Sequence, residues 1–254
     1  MLEIIQLPVL NDNYIYLIHE PASAKTAVID PAVSQPVLDI LKQKNWPLNL
    51  ILNTHHHNDH IGANLELKKA SNCQIIAAEA DQHRIPDVDI TVKEGDIFSL
   101  GNEVIKVFET PGHTSGHIVF YLENSHKLFC GDTLFSMGCG RLFEGSAKQM
   151  WHSLQKIKVL PKQTQIYCTH EYTQANGAFA ITLEPDNKAL QQRIQQVDQL
   201  RKENIPTVPS SLELELMTNP FLREDSLALQ QSIKMQNKST IEIFTKIRQL
   251  KDSF

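Results

Sequence analysis

The chain has 254 residues, of which 41% are hydrophobic and 21% charged, with a formal net charge of −5 and an isoelectric point near 6.1. This is an ordinary globular composition, and the acidic balance argues against a nucleic-acid partner, for which a basic surface is expected. No apolar run reaches the length of a membrane span, and the N-terminus lacks the layout of a signal peptide, so we expect a cytoplasmic protein with no membrane partner.

Short strands separated by turns and helices are predicted for the first two thirds of the chain, because β-branched and aromatic residues concentrate there in short runs. The predicted strands are Glu3–Leu7, Tyr14–His19, Thr26–Ile29, Leu48–Asn53, Gln74–Ala77, Glu103–Glu109, His117–Leu122, Lys127–Cys130 and Gln165–Cys168. The predicted helices are Gln35–Lys44, Gly62–Ala70 and Lys148–Lys156. Strands and helices mixed in this way predict two packed sheets with helices outside.

The character of the sequence changes after Tyr172, where we predict no further strand. An apolar stripe at helical spacing follows, formed by Leu190, Ile194, Val197 and Leu200. Further on, Ser239 and Glu242 predict a capping box that opens the last helix. We therefore predict a first domain over residues 1–173 and a smaller, all-helical domain over residues 174–254.

The densest group of chemical donors is the segment Thr54–His60, which follows a predicted apolar strand and precedes a helix. Imidazole nitrogens and carboxylate oxygens are preferred ligands of zinc-like ions. His55 and His57 should point to the same side, because side chains alternate in an extended segment, and Asp59 and His60 follow where the chain turns. A surface histidine run is the alternative, but a strand directly before the segment favours a metal site.

Three further donors follow other predicted strands. His113 comes after a Pro-Gly turn, Asp132 follows the strand Lys127–Cys130, and His170 follows the strand Gln165–Cys168. Each is a weak signal alone, but functional side chains concentrate in loops at strand ends. Together they predict one site shared with the segment Thr54–His60.

The order of these motifs, HxHxDH followed by a histidine, an aspartate and a histidine, resembles the metallo-β-lactamase superfamily. More narrowly, the chain is similar to the hydroxyacylglutathione hydrolase (glyoxalase II) family, from the segment Leu10–Tyr14 to the C-terminal Phe254. The resemblance implies an α/β (α+β) fold, namely a metallo-β-lactamase αββα sandwich that carries the catalytic site, followed by a helical substrate-binding domain.

The resemblance also implies two divalent metal ions, with zinc expected first and iron or manganese as alternatives. The implied ligands are His55, His57 and His113 for one ion, Asp59, His60 and His170 for the other, and Asp132 bridging both. Asp59 and Asp132 would serve catalysis together with a hydroxide held by the metals. In this family His56 is not a ligand, and His117 is expected to be structural.

The same resemblance implies contacts to a glutathione thioester from Arg141, Phe143, Tyr172, Arg248 and Lys251. The chain departs from the family where Asn58 replaces a frequent aromatic residue, Arg141 a common lysine and Phe143 a common tyrosine. From charge alone, Arg248 and Lys251 would be a solvated helix face, and it is the resemblance that favours substrate contact. The excess of basic residues between Lys234 and Lys251 suits a small anionic ligand better than nucleic acid.

The implied reaction is hydrolysis of S-(2-hydroxyacyl)glutathione, such as S-D-lactoylglutathione, to glutathione and a 2-hydroxy acid such as D-lactate. This is the second step of methylglyoxal degradation, and we expect a monomer to carry it out. The alternative is an iron-dependent glutathione persulfide dioxygenase of the same fold, whose members typically lack the long helical domain. A di-iron oxygen-reducing protein usually has a carboxylate where His57 stands, and a binding-only module would have lost a ligand.

Overall fold

The computed structural model describes residues 2–254, and the chain divides into two compact units. The first unit comprises the residues up to Glu109 together with Ser115–Gly131. The second comprises Thr110–Thr114 and Asp132–Phe254. The two units are defined by compactness alone and do not test the domain boundary predicted near residue 173. That boundary therefore stays a prediction.

A six-stranded sheet forms the larger part of the first unit, with its strands in the order β1-β2-β3-β4-β5-β6. The strands are β1 Glu3–Val9, β2 Asn13–Glu20, β3 Lys25–Ile29, β4 Leu50–Leu52, β5 Gln74–Ala78 and β6 Ile90–Val92. The first three pair antiparallel and the last four pair parallel. The carboxyl ends of β3 and β4 therefore lie at the same edge, where Asp30 and the histidine segment follow them.

Helices α1 Gln35–Lys44, α2 Asn58–Ile61 and α3 Asn64–Ser71 belong to this sheet's connections. Val37 of α1 and Leu67 of α3 are fully buried in one apolar cluster with residues of β2, β3 and β4. Burial of these apolar side chains is the main force that holds the helices on the sheet.

Four antiparallel strands complete the first unit, in the order β10-β9-β8-β7. They are β7 Ile97–Leu100, β8 Glu103–Glu109, β9 Ile118–Leu122 and β10 Lys127–Gly131. Tyr16 of β2 and Phe129 of β10 are both fully buried and pack edge to face, with ring centroids 5.4 Å apart. The inner faces of the two groups of strands therefore meet in one core.

The second unit is mostly helical. Its strands are β11 Leu134–Phe135, β12 Gly138–Cys139, β13 Gln165–Cys168 and β14 Ser210–Ser211. Its helices are α4 Ala147–Lys158, α5 Thr173–Leu183, α6 Lys188–Lys202, α7 Leu212–Thr218, α8 Leu227–Ser232 and α9 Thr240–Asp252. The predicted stripe of α6 is confirmed, since Leu190 and Val197 are buried and Ile194 packs against the same cluster.

The predicted helix Gly62–Ala70 corresponds to α3, which begins two residues later and ends one residue later, at Asn64 and Ser71. One local expectation was wrong. A strand does follow Tyr172: β14 pairs antiparallel with β13, with Ser210 opposite Ile166. Two serines carry no β-propensity signal, so only the tertiary pairing decides this strand.

The predicted capping box of α9 is confirmed. The Ser239 hydroxyl accepts from the Glu242 backbone N–H, and the Glu242 carboxylate accepts from the Ser239 backbone N–H. None of the helices described for residues 2–254 has the length and hydrophobicity that crossing a bilayer requires.

Candidate metal centre

The histidine segment leaves the end of β4 and runs into the four-residue helix α2. His55 is fully buried, and its Nε2 atom lies 3.0 Å from Nδ1 of His57. In α2, Nε2 of the buried His60 lies 3.4 Å from Oδ2 of Asp59. The segment thus presents two donor pairs, one of two imidazoles and one of an imidazole and a carboxylate.

The carboxylate of Asp30, the residue after β3, orients one histidine of each donor pair. Its buried carboxylate accepts from the Thr54 backbone N–H at 2.8 Å, from the Thr54 hydroxyl at 2.6 Å, and lies 3.0 Å from Nδ1 of His60. Since that hydroxyl donates to Asp30, it accepts from Nδ1 of His55, 3.0 Å away. Both histidines therefore carry their proton on Nδ1 and offer the Nε2 lone pair to a metal.

A side chain from the N-terminal hairpin holds Asp59. The buried amide of Asn13, the first residue of β2, donates to Oδ2 of Asp59 at 2.9 Å. The Asp59 side chain is still 40% exposed, so it remains within reach of a ligand or of water.

The second unit contributes its own group of donors. Oδ2 of Asp132 lies 3.4 Å from Nε2 of His113 and 3.4 Å from Nε2 of His170. The other Asp132 oxygen accepts from the Thr169 hydroxyl at 2.9 Å. Nδ1 of His113 donates to the backbone carbonyl of Arg141 at 2.8 Å, so its Nε2 lone pair is the one directed at the Asp132 carboxylate.

These spacings fit divalent metal ions. Two ligands of one tetrahedral zinc ion, each about 2.0–2.1 Å from the metal, lie about 3.4 Å apart. Three separate histidine–aspartate pairs show this separation: Asp59 with His60, Asp132 with His113, and Asp132 with His170. In addition, single ligand atoms of Asp30, His55 and His60 lie within 4.8 Å of one another. The donor set is of the nitrogen and oxygen type that zinc, iron and manganese accept.

Aromatic side chains flank the donors of the second unit. The ring of Tyr172 stacks on His170, with centroids 4.8 Å apart and planes at 3°. Phe143 is 61% exposed and sets its ring edgewise to His113, with centroids 5.2 Å apart. Both are expected substrate contacts, and both keep accessible surface beside a metal-type histidine.

The expected cationic contacts differ in burial. Arg141 is exposed, whereas Arg248 of α9 is only 5% exposed and donates to the Cys139 carbonyl at 3.0 Å. Burial lowers the pKa of Lys251, and the positive charges of Arg248 and Arg141 lower it further. The three cations therefore lie close enough to interact, and Asp252, which is ion-paired with Arg248 at 2.8 Å, offsets part of their charge.

Comparison with known proteins assigns the chain to a family. Residues 10–170 match the metallo-beta-lactamase superfamily, and residues 171–254 match the family described as the hydroxyacylglutathione hydrolase C-terminus. The hydroxyacylglutathione hydrolase of Methylococcus capsulatus is 53% identical over 254 residues, covering 100% of this chain and 99% of that protein. The one from Rhodospirillum rubrum is 51% identical over 253 residues, with the same coverage.

The chain belongs to the hydroxyacylglutathione hydrolase family. Among solved structures, the BLEG-1 B3 metallo-beta-lactamase aligns with a TM-score of 0.67 at 21% identity, covering 87% of this chain and 99% of that one. At this identity the likeness concerns the fold alone. The predicted family and the predicted metallo-β-lactamase fold with a helical C-terminal region are both confirmed.

Two other histidines of this family member were expected not to be metal ligands. His56 turns away and places Nδ1 3.3 Å from Oδ2 of Asp81. His117 is fully buried and stacks on His55, with centroids 4.8 Å apart, which is a packing role. Asn58, the departure from the family's frequent aromatic residue, is exposed at the first position of α2.

Sequence reasoning missed two residues that orient the ligands, Asp30 and Asn13. Asp30 directly follows the strand β3, the same position relative to a strand that identified Asp132 and His170, so the signal was available. Asn13 carried no such signal, because its partner Asp59 is remote in sequence and the contact depends on how β2 is placed.

Proposed function

We propose that this chain hydrolyses S-(2-hydroxyacyl)glutathione, such as S-D-lactoylglutathione, to glutathione and a 2-hydroxy acid. The observation that carries the proposal is the match to hydroxyacylglutathione hydrolases over the whole length of the chain. The match of residues 171–254 to the C-terminal family region supports the hydrolase over a glutathione persulfide dioxygenase.

Two divalent ions, with zinc proposed, would be held by the seven donors of the family pattern. The ligands of the first would be His55, His57 and His113, those of the second Asp59, His60 and His170, with Asp132 shared. When bound, such ions lower the pKa of a coordinated water to about 7 and polarise a carbonyl. The histidine–aspartate separations of 3.4 Å support this assignment.

The chain's own residues orient the reactants. Asp59, 40% exposed and bonded by the Asn13 amide, would accept a hydrogen bond from the attacking water and fix its direction. The cations Arg141, Arg248 and Lys251 would attract the carboxylates of glutathione, and Tyr172 offers a ring and hydroxyl beside His170. Binding energy from these remote groups positions the thioester carbonyl for attack.

Cys139 and Cys168 are poor candidates for a nucleophile. All four cysteines are buried free thiols, and burial raises the pKa of Cys139 to about 11 and that of Cys168 to about 12. At neutral pH these two sulfurs are protonated, and only a thiolate attacks a thioester readily. This supports attack by water over attack by either of these thiols.

The deciding experiment measures thiol release from S-D-lactoylglutathione by the purified chain loaded with zinc, with the chelator-treated chain as control. We expect release that depends on the metal and yields one equivalent of D-lactate per thiol. A chain that holds two equivalents of metal and releases no thiol would overturn the proposal. Oxygen consumption with glutathione persulfide, measured in parallel, would favour the dioxygenase instead.

We also propose that the protein acts as a monomer in the cytoplasm and that zinc is its native metal. Light scattering after size exclusion measures the mass against 28.8 kDa per chain. Elemental analysis of protein purified from its own cells measures the metal. A stable dimer would contradict the proposed monomer, and iron as the dominant metal would contradict the proposed zinc.

A further inference from the structure

Asp81 is a fully buried carboxylate that the proposed reaction does not use. It ends the short 3₁₀ turn Glu79–Asp81 that follows β5. Arg84 approaches it with two donors, Nε at 3.1 Å from Oδ1 and Nη2 in contact with the same oxygen. A buried charge is costly unless it is paired, and this pair leaves the second oxygen, Oδ2, for another group.

That other group is His56, the residue between two proposed metal ligands. Its Nδ1 atom lies 3.3 Å from Oδ2 of Asp81, and its Nε2 atom lies 3.5 Å from Nη1 of Arg84. Because a carboxylate only accepts, Nδ1 of His56 carries the proton and Nε2 faces the guanidinium. The ring is therefore held at both nitrogens, and with it the backbone from which His55 and His57 project.

The pair also holds a second loop. Arg84 donates through Nη2 to the hydroxyl of Ser115 at 3.0 Å. The backbone of Gly116 runs directly against Asp81, since a Cβ atom there would lie 1.9 Å from Oδ1. Ser115 follows the proposed ligand His113 by two positions in the chain. One ion pair thus contacts both the loop of His55 and His57 and the residues just after His113.

We propose that Asp81 and Arg84 are positioning residues for the metal ion assigned to His55, His57 and His113, and this inference rests on the proposed function. Neither side chain would contact the metal or the substrate. Their action passes through His56 and Ser115 to the direction of the ligand loops. Disturbing the hydrogen-bond partners behind metal ligands typically costs about 10–100-fold in metal affinity.

The test titrates metal-free protein with Co²⁺ and follows the visible d–d absorption, which reports ligand geometry at each ion. Wild-type protein should take up two ions. Asp81→Asn, which keeps the shape and removes the charge, should weaken one of the two by about tenfold and change its spectrum, leaving the other unchanged. In kinetics, kcat should fall with KM little changed, because no substrate contact is lost.

Two further variants separate positioning from general stability. Asp89→Asn removes another carboxylate that forms an ion pair, here with Lys68, and that also accepts from the Ile75 N–H, and it should leave the Co²⁺ spectrum unchanged. Arg84→Lys keeps the charge on a partly exposed side chain, so it should fold and restore part of the affinity that Arg84→Gln loses.

The possible outcomes distinguish this inference from the function on which it rests. If wild-type protein binds no Co²⁺, the metal site and the inference both fall. If wild-type protein binds two ions and Asp81→Asn and Arg84→Gln match it in affinity and spectrum, only the positioning role falls. An equal loss at both ions in these variants would also contradict it, because the role is assigned to one ion.

Discussion

Hydrogen-bonded partners decide which nitrogen is available to a metal on three of the proposed histidine ligands. Asp30 orients His60 directly and His55 through the Thr54 hydroxyl, and the Arg141 carbonyl orients His113. A metal ligand held in one tautomer and one orientation loses less entropy on binding than a mobile one.

Among single residues, Asp132 is the one whose substitution we expect to have the most severe effect. Asp132→Ala removes an oxygen spaced 3.4 Å from both His113 and His170, so metal content should fall and kcat/KM should drop by more than about a hundredfold. Elemental analysis and thioester kinetics measure the two effects. Two bound metals with full turnover in the variant would contradict a shared ligand role.

Replacing Phe143 with tyrosine is expected to improve substrate binding. Its ring is 61% exposed, so Phe143→Tyr should change the free energy of unfolding by less than about 0.5 kcal/mol. The added hydroxyl can make one hydrogen bond to substrate, which should lower KM by about two- to tenfold. Phe143→Leu, which adds no hydroxyl, is the control, and an equal KM in the tyrosine variant and the wild type would remove Phe143 from the substrate contacts.

Helix α9 shows how one element serves both packing and binding. Ile243 and Ile247, four residues apart, form a buried apolar stripe, while Phe244 and Arg248 on the adjacent face are buried too. The Arg248 guanidinium lies over the Phe221 ring, 5.1 Å from its centroid, and bonds the Cys139 carbonyl. A solvated helix face, the alternative reading of its charge, is therefore wrong for Arg248.

Arg248→Ala should accordingly have two effects. KM should rise because a cation near the substrate carboxylates is lost, and the free energy of unfolding should fall by about 2 kcal/mol because the Cys139 carbonyl loses its donor. Asp252→Ala removes only the half-exposed ion-pair partner of Arg248 and should cost less than about 1 kcal/mol. Urea unfolding measures the loss of stability in both variants, and kinetics measure their KM. If Asp252→Ala lost as much stability as Arg248→Ala, the hydrogen bond of Arg248 to the Cys139 carbonyl would not be the stabilising contact.

The buried carboxyl of Glu215 in α7 makes the free energy of unfolding depend on pH. It is fully buried and accepts from the Ser136 and Ser210 hydroxyls and the Met137 N–H, and burial raises its pKa above the ordinary 4.5. A raised folded pKa means that this carboxyl's contribution is fully present below pH 4.5 and is lost as the pH rises through the folded value.

Glu215→Gln removes that titration. The unfolding free energy of the variant relative to wild type should therefore increase as the pH rises above 4.5. Urea unfolding over a pH series measures the difference, with the exposed Glu213→Gln on the same helix as control. A difference that stays constant with pH would contradict the raised pKa.

At the scale of the whole molecule, two properties matter: the distribution of charge and the stability that bound metal ions add. The protein has a net charge of −5, yet three of the proposed substrate contacts, Arg141, Arg248 and Lys251, are cations that lie near one another. Local positive potential of this kind attracts an anion despite the net charge, and salt weakens the attraction. Ions that bind only the folded chain also raise its stability by mass action.

Removing the metals should therefore lower the melting temperature. At a metal concentration about a hundredfold above Kd, each ion adds about 2.7 kcal/mol, which corresponds to about 5–10 °C for a chain of this size. Scanning calorimetry with chelator, and again after zinc is restored, measures the shift. Identical melting temperatures in both conditions would mean that no metal binds the folded chain.

The sequence by itself determined what is local. The positions of nine strands, the capping box of α9, the stripe of α6 and the donor types of the HxHxDH segment follow from periodicity and residue chemistry, which are local properties of the sequence.

Only the tertiary structure decided which distant groups meet. Asp30 beneath His60, Asn13 on Asp59, Arg84 between His56 and Ser115, and Arg248 on the Cys139 carbonyl all join residues far apart in sequence. The same holds for β14, a strand that exists because β13 supplies its hydrogen bonds. Such contacts depend on which strand ends and helix faces the packed core brings together, and that is a property of the whole chain.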